Sequence, residues 1–360
     1  MTKRHLKLLA CIAVAAGTSL GAAPPSASAT ATASIGARVV HPGQSIQAAV
    51  NAAQPGDTVY IAPGTYRESV LITKPGLTLM GGGANTVLMP GTRMTKPAQS
   101  CAELGSGICV IGAADKPVTG VHIRSLTLSG FKKNGVWASG TDGLNVRQVV
   151  AEKNGTWGIA QEKSVRGVFR DNTVRGNGDS GIMIANVVQS EGSATDTMGT
   201  VVQDNLLEDN RIGVTLRRVR NLSVSDNEVT GNCGGVFVVG DENKPTAGEM
   251  TISDNWVHHN NKSCPATARM PALQGAGIVL TGSQGTLVRS NTVEDNAGTS
   301  PYAGGVVLFK SFVGAANTDN VIRDNVVQRN KPADLAGADN GSGNTFERNR
   351  CGASKPTGMC

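Results

Sequence analysis

A short phrase ending in Asp-Asn recurs along most of the sequence and constrains the fold more than any other feature. Each full copy consists of an aliphatic or aromatic residue, a polar residue, Asp and Asn. Full copies occupy residues 169–172, 202–205, 224–227, 252–255 and 322–325, and looser copies occupy 123–126, 146–149, 288–291 and 346–349. Successive copies are 22 to 36 residues apart, which is typical of coils of constant length that carry loops of variable length.

Each copy is followed by the same internal order. After Asn172 come Val174, Asn177 and the pair Gly181-Ile182, and the later copies repeat this sequence of residue types. The pattern predicts three short strands per coil, separated by turns, with alternate residues pointing inward. The 46 glycines follow no Gly-X-Y period and indicate many tight turns. We therefore predict an all-β fold, a right-handed parallel β-helix solenoid.

The recurring asparagine has a physical reason. Coils of a parallel stack lie about 4.8 Å apart, so a residue that recurs once per coil stacks on its own copies. Asparagine tolerates the left-handed turn conformation, and its amide both donates and accepts hydrogen bonds. We expect an internal ladder of buried amides. Such a ladder specifies the fold and says almost nothing about function.

The first 29 residues are typical of an export signal. Basic residues precede a mostly apolar stretch at 8–20, and small residues end at Ala29, as a signal peptidase requires. A lipoprotein attachment site at Cys11 is the alternative, but the apolar stretch follows this cysteine rather than preceding it. We expect cleavage after Ala29, a flexible mature N-terminus over residues 30–38, and a secreted protein.

Charge and hydropathy narrow the class of partner. The formal charge of +6 falls to +3 without the three basic residues of the signal, too small an excess to indicate a nucleic-acid partner. No later segment reaches the roughly 18 apolar residues that a membrane helix needs, so we predict no membrane span. The expected partner is a polysaccharide or a small-molecule ligand, and the oligomeric state is left open.

Six of the seven cysteines follow the signal, and an even number in an oxidising compartment predicts disulfides rather than metal ligands. The expected pairs are Cys101 with Cys109, Cys351 with Cys360 and, as the remaining pair, Cys233 with Cys264. We expect the solenoid to occupy residues 39–350 and a C-terminal disulfide loop to occupy residues 351–360.

Three phrases near the N-terminus resemble the opening of the pectin-lyase-like β-helix superfamily. They are Ser45-Ile46-Gln47-Ala48-Ala49-Val50, Gly56-Asp57-Thr58-Val59-Tyr60-Ile61 and Pro63-Gly64-Thr65-Tyr66-Arg67-Glu68. The resemblance extends over residues 39–350 and implies a parallel β-helix, in a superfamily rich in carbohydrate-active enzymes. The residues agree, because Ser45 is placed to cap a short N-terminal helix whose apolar face would plug the open end of the solenoid.

The catalytic motifs of the known members are absent from this sequence. The Asp-Asp and Gly-His-Gly motifs of galacturonan hydrolases, the Asp-Pro-His-Asp motif of alginate epimerases and the Trp-Ile-Asp-His context of pectate lyases do not occur. The sequence shows no acidic calcium-binding run either. The cofactor is therefore left unknown, with calcium as an option without a ligand motif and no metal ligand predicted. Because function resides in sites grafted onto a fold, the activity has to be argued from the site.

In this superfamily substrates lie across one sheet, which we identify with the strands that start at the Gly-aliphatic pairs. If the aliphatic residue of each pair points inward, the residue after it and the one two further on point outward. The predicted substrate-binding residues on these outward columns are Trp137, Met183, Thr215, Phe237, Thr281 and Phe309. This surface is unusually apolar for a groove that takes uronic acids.

Long loops flank the same sheet. They occupy residues 186–200, 240–249, 262–276, 297–304 and 311–320. Loops concentrated beside one face are where binding usually resides, so we expect them to wall a trough along the middle coils. The alternative is that loops bulge wherever the solenoid tolerates them.

Six charged or titratable residues are the candidate catalytic groups. They are Arg217, Arg218, Glu162, Lys310, His258 and Asp241. An arginine at a strand end could neutralise a carboxylate or abstract a proton from a sugar ring, and a carboxylate and a base on adjacent coils would suit elimination, epimerisation or hydrolysis. The alternative for each residue is a solvated turn. For His258 and His259, which should point apart as neighbours on a strand, it is a surface pair without a role.

Three classes of function follow. The first is a secreted enzyme of acidic polysaccharides that acts by elimination or epimerisation, and we take it as the prediction. The second is an enzyme or binder for an apolar small molecule, using an exposed apolar sheet face. The third is a non-catalytic cell-wall or surface binding protein, favoured by the missing motifs. Convergence of an acid and a base from neighbouring coils in one cleft would favour an enzyme.

Overall fold

A computed structural model describes residues 37–91, 100–113, 115–187, 192–268, 270–339 and 341–360. The predicted signal, residues 1–29, lies outside the described residues, as does most of the segment 30–38. The first described strand, Ala37–Val40, begins two residues before the expected start of the solenoid. It pairs with Thr58–Ile61, so the coil stack already includes Ala37 and Arg38.

The described strands form three parallel sheets that run the length of the stack. The first sheet consists of Ala37–Val40, Thr58–Ile61, Thr78–Gly81, His122–Arg124, Asn145–Arg147, Val168–Arg170, Thr195–Gln203, Val219–Ser225, Ala247–Ser253, Ser283–Gln284, Leu287–Arg289, Val321–Arg323 and Thr345–Glu347. The second consists of Gly64–Arg67, Thr86–Met89, Thr127–Ser129, Val150–Glu152, Thr173–Arg175, Leu206–Glu208, Glu228–Thr230, Trp256–His258, Thr292–Glu294 and Val326–Gln328.

The third sheet carries the candidate site. Its strands are Val70–Ile72, Ile108–Ile111, Val136–Ser139, Ile159–Glu162, Ser180–Ala185, Ile212–Arg217, Gly234–Val239, Ala276–Thr281, Gly304–Phe309, Leu335–Ala338 and Ser354–Lys355. Val118–Thr119 and Thr141–Asp142 form a separate two-stranded sheet. Three strands per coil in a parallel β-helix confirm the predicted fold class.

The register of the third sheet confirms the inward column inferred from the sequence. The paired residues in chain order are Val136, Ile159, Ile182, Val214, Val236, Ile278 and Val306. Each is fully buried in the main core, which fills the interior of the coils. Because side chains alternate along a strand, the residue after each of them points outward, as predicted.

Two columns of asparagine form the internal ladders. The first contains Asn172, Asn205, Asn227, Asn255, Asn291, Asn325 and Asn349, and the second contains Asn154, Asn177, Asn210, Asn232, Asn260, Asn296 and Asn330. Each side-chain Nδ2 donates to Oδ1 of the next asparagine at 2.9 to 3.2 Å. The second ladder ends on Asp334, whose Oδ1 accepts from the backbone N–H and Nδ2 of Asn330.

The left-handed residue of each Asp-Asn turn is the aspartate, which corrects the sequence-based expectation. Asp171, Asp204, Asp226, Asp254 and Asp324 have φ values between 54° and 60°. Aspartate tolerates this conformation for the same reason as asparagine, since its short polar side chain bonds locally. The asparagine that follows is thereby free to turn its amide into the ladder.

The helix and the disulfide that the sequence predicts at the two ends of the stack are present. Helix Ile46–Ala52 begins at Ser45, whose Oγ accepts from the Ala48 N–H, and it buries Ile46 and Val50. Glu68 accepts from the Ile46 N–H at 2.6 Å and so completes the helical cap. All three predicted disulfides are present, including that between Cys351 and Cys360 at the other end.

Candidate active site

A groove lies on the outer face of the third sheet, where a cavity of about 650 Å³ extends along the middle coils. Eight of the predicted residues line it, and they are Arg217, Arg218, Asp241, Lys310, Met183, Thr215, Phe237 and Thr281. They come from five successive strands, Ser180–Ala185 to Gly304–Phe309, and from the turns after them. The stacking of coils therefore brings together residues that are far apart in sequence.

The floor of the groove is more enclosed than the sequence suggested. Phe237 is 1% exposed and Val307 is 2% exposed, although both point away from the main core. They belong to a second apolar cluster outside the coils, with Cys233, Cys264 and Tyr302. The expected exposed apolar sheet face is thus wrong for these coils, because loops that were expected only to flank the sheet fold over it.

The wall of the groove is the loop that follows His259. The disulfide between Cys233 and Cys264 ties this loop to the start of a third-sheet strand. The guanidinium of Arg211, which is 6% exposed, donates to the carbonyl oxygens of Pro265 at 2.7 Å and Pro271 at 3.2 Å. Because two carbonyls and a disulfide hold the loop, the wall is fixed against the sheet.

The centre of the groove is cationic. Arg217 is half-buried at the end of strand Ile212–Arg217, and Arg218 follows it in a left-handed conformation. Arg218 is 6% exposed and forms an ion pair with Asp241, which is 4% exposed. The buried pair orients the turn that carries Arg217, while Arg217 itself faces the cavity.

Aromatic residues and a lysine close one end of the groove. Tyr302 packs edge-on against Phe237 at 5.5 Å between ring centroids and lies 4.6 Å from the ring of Phe309. Burial raises the pKa of Tyr302 to about 12, so its hydroxyl keeps its proton at neutral pH. Phe312 is 69% exposed at the lip, and Lys310 beside it is also exposed.

The remaining predicted residues lie outside this cavity. Trp137 and Glu162 are half-buried on strands of the same sheet, nearer the N-terminal end. Phe309 lies on the groove's sheet and packs beneath Tyr302 and Phe312 rather than lining the cavity. These positions follow from register: Glu162 and Phe309 share the outward column of Arg217 but lie on other coils.

His258 does not lie in this groove, because its strand Trp256–His258 belongs to the second sheet. There it stacks on Trp256 and lies 3.4 Å from a carboxylate oxygen of Glu228. The expectation that His258 and His259 point apart is also wrong, since their Nδ1 atoms lie 3.0 Å apart. A left-handed backbone at His259, with φ of 51°, turns its ring back.

Sequence reasoning missed several polar or aromatic residues that line the cavity. Among them are Trp157, Asp179, Arg211 and Tyr302. The first three precede third-sheet strands, in turns where the search for outward strand residues did not look. Tyr302 had only one signal, its position in a long loop directly before the Gly304–Phe309 strand.

Two further observations concern metal binding and membrane insertion. In the part of the chain that the structure describes, no cluster of three or more His, Cys, Asp or Glu side chains is arranged to hold a metal ion. Among the same residues, no helix is both long enough and apolar enough to cross a membrane.

Comparison with known proteins gives the family and the fold. The description "Right handed beta helix region" matches residues 99–249 and 244–359. No curated protein matches the sequence. Among solved structures, the chain is similar to a mannuronan C-5 epimerase A-module of Azotobacter vinelandii, with a TM-score of 0.54, 20% identity, and coverage of 86% of this chain and 90% of that one.

Two other solved structures have the same architecture. The periplasmic alginate epimerase AlgG matches with a TM-score of 0.59 and 16% identity, over 81% of this chain and 67% of that one. DFA-IIIase of Arthrobacter chlorophenolicus without its lid, in complex with GF2, matches with a TM-score of 0.59 and 14% identity, over 89% and 99%. These similarities concern the fold, and all three named proteins are carbohydrate-active enzymes.

Proposed function

The chain belongs to the family of right-handed β-helix regions, and on that premise we propose that it is a secreted enzyme of acidic polysaccharides. The observation that carries the proposal is the groove itself, which Arg217, Lys310 and Tyr302 all line above an apolar floor. The three disulfides support an oxidising, extracytoplasmic location. The proposed reaction is elimination or epimerisation, which share a first step.

That first step is removal of the proton on the carbon next to the sugar carboxylate. The negative charge that develops spreads onto the carboxylate, where a cation stabilises it. Arg217 has this role in the proposal, because its planar fork can hold a carboxylate by two hydrogen bonds. Tyr302 is protonated at neutral pH, as tyrosines ordinarily are, and donates a hydrogen bond or a proton.

The second step distinguishes the two reactions. In elimination the electron pair left on carbon expels the glycosidic oxygen, which takes a proton, and a double bond forms. In epimerisation the same carbon takes a proton on its opposite face, and the chain stays intact. Lys310, at the lip of the groove, is the candidate base, and the buried pair of Arg218 and Asp241 acts as a positioning device rather than in proton transfer.

Hydrolysis or glycosyl transfer is the second candidate, favoured by one observation. Asp179 and Asp241 both line the groove, from turns on different coils, and two carboxylates flanking a glycosidic bond are the usual requirement of glycoside cleavage. The ion pair of Asp241 with Arg218 argues for elimination or epimerisation, since it commits the Asp241 carboxylate to a buried arginine.

The test is a screen of the purified protein against pectate, alginate, hyaluronan and heparin-type polymers, with and without calcium. Ultraviolet absorbance detects an unsaturated sugar end, and incorporation of deuterium from solvent detects epimerisation. Arg217→Ala is expected to lower kcat/KM by about 10²- to 10³-fold, as for loss of a group that stabilises developing charge, with an unchanged melting temperature.

The matched control is Arg124→Ala, since Arg124 is an exposed arginine on the first sheet. It should be as active as the parent. Equal activity of Arg217→Ala and the parent on any substrate found would refute the site. Release of saturated sugar ends would favour hydrolysis, with Asp179→Asn then as the variant to measure.

A further inference from the structure

A pair of stacked tryptophans lies beside the groove, at the end opposite to Tyr302. The rings of Trp137 and Trp157 have centroids 5.8 Å apart and planes inclined by only 17°. Both residues are half-buried, so part of each indole faces solvent. Nothing in the proposed chemistry uses them.

The tryptophans pack on small or apolar side chains of the same sheet. These are Ala160, Met183 and Ala185, which are 0%, 5% and 3% exposed. Ala160 and Met183 follow Trp137 in the same outward column, on the next two coils. Trp157 and Met183 also line the cavity that holds Arg217, so this strip is continuous with the groove.

The spacing along the stack sets the size of a ligand that uses both regions. Three coil steps separate the strand of Trp137 from that of Arg217, through Ile159–Glu162 and Ser180–Ala185. At about 4.8 Å per coil this is roughly 14 Å. Three further steps lead from Arg217 to Phe309, beside Tyr302. A single sugar ring spans only a fraction of this distance.

We propose that the groove binds an extended segment of a polysaccharide along the helix axis, and that Trp137 and Trp157 form a distal subsite for its sugar rings. The apolar faces of sugar rings stack on the indoles, while a carboxylate of the same chain reaches Arg217. The arrangement of side chains favours this occupant over a small apolar molecule, since the Arg217 guanidinium lies between aromatic rings at the two ends. The inference rests on the proposed function and assigns its substrate as a chain of several sugar units.

The experiment measures dependence on chain length. Calorimetry and steady-state kinetics are carried out with mannuronate and galacturonate oligomers of two, four and eight units. The parent should bind an octamer at least tenfold more tightly than a dimer, of the order expected for aromatic stacking of one ring. Trp137→Ala and Trp157→Phe should reduce that ratio to less than about threefold.

Trp256→Ala is the matched control, because Trp256 is 44% exposed and lies on the second sheet. It should preserve the dependence on length, and circular dichroism should show the same fold for all variants. If the parent acts on oligomers but the tryptophan variants keep its preference for long chains, the subsite is refuted and the proposed function stands. If no oligomer of either kind binds the parent, the subsite for chains of these acids is refuted, and the polymer screen decides the proposed function.

Discussion

The interior ladders and the walls of the groove are made by opposite means. Each ladder asparagine repeats the contact of the one before it, so Asn205, Asn227 and Asn255 have nearly identical surroundings. The wall has no repeat: a disulfide at Cys264 and two carbonyl bonds from Arg211 hold one loop in one place. Periodic contacts thus create the scaffold, and single contacts create the site.

The sharpest test of the ladder is Asn227→Ala. Its Oδ1 accepts from the backbone N–H and the Nδ2 of Asn205, and its Nδ2 donates to Val202, Ser225 and Asn255. The substitution leaves buried donors and acceptors without hydrogen-bond partners, and each such group lowers the stability by about 1 to 3 kcal/mol. We expect the free energy of unfolding to fall by about 3 kcal/mol or more in a urea titration.

The control for this substitution is Asn51→Ala, because Asn51 is exposed and accepts one hydrogen bond from Gln47. It should change the unfolding midpoint little. A comparable loss of unfolding free energy in both variants would mean that a ladder asparagine stabilises the fold no more than an exposed one. The difference between ladder and wall would then be refuted.

The corresponding test of the wall is the double variant Cys233→Ser with Cys264→Ser. Removing a native disulfide typically lowers stability by about 2 to 5 kcal/mol, but here the loss should be local, because the ladder bonds of Asn227 do not involve this loop. Hydrogen exchange should show faster exchange around Leu273, which bonds to Cys264 through the backbone, and unchanged protection of the Asn227 amide.

Faster exchange at Leu273 and Asn227 together would show that wall and ladder unfold as one unit. That outcome would contradict the separation of scaffold and site. The double variant also bears on function, since a loosened wall should weaken binding of any ligand that needs the groove closed on that side.

The smallest expected effect concerns Tyr302 and pH. Its folded-state pKa, about 12, is above the ordinary value of 10.0 because of burial. The neutral form is favoured in the folded state, so the stability contribution is complete below pH 10 and is lost as pH rises towards 12. The loss should be of the order of 1 kcal/mol, once solvent near the groove is taken into account.

Thermal unfolding between pH 9 and pH 12 checks this prediction by comparing the parent with Tyr302→Phe. The parent should lose more stability over that interval, and ultraviolet titration should show one fewer late-titrating tyrosine in the variant. Identical pH profiles would indicate that the Tyr302 hydroxyl is solvated, and its role as a neutral donor in the groove would then have no basis.

Much of the scaffold could be predicted because its residues act locally and repeat. The inward column through Val214 and Val236 followed from alternation, and its register is as expected. The prediction for the turn was wrong by one residue, since Asp226 rather than Asn227 takes the left-handed conformation. A repeated phrase shows that a turn exists without showing which of its two residues bends the chain.

The placement of the candidate residues could be predicted in part, for a related reason. Arg217, Arg218, Asp241 and Lys310 line one cavity because they end third-sheet strands or lie in the turns directly after them, and the stack places those ends together. His258 was misassigned because its strand belongs to another sheet. Arg211 and Tyr302 were missed because they sit before strands, where no outward column marks them.

The sequence by itself determined the coil, its three strands, its disulfides and its ladders, because each depends on residues at fixed offsets within the repeat or on a count of cysteines. Only the tertiary structure decided that loops cover Phe237 and Val307 and that Arg218 is neutralised by Asp241. The physical reason is that loop placement has no period: a loop packs wherever apolar area and unpaired carbonyls can be buried together. Such contacts between distant segments exist only once the coils are stacked.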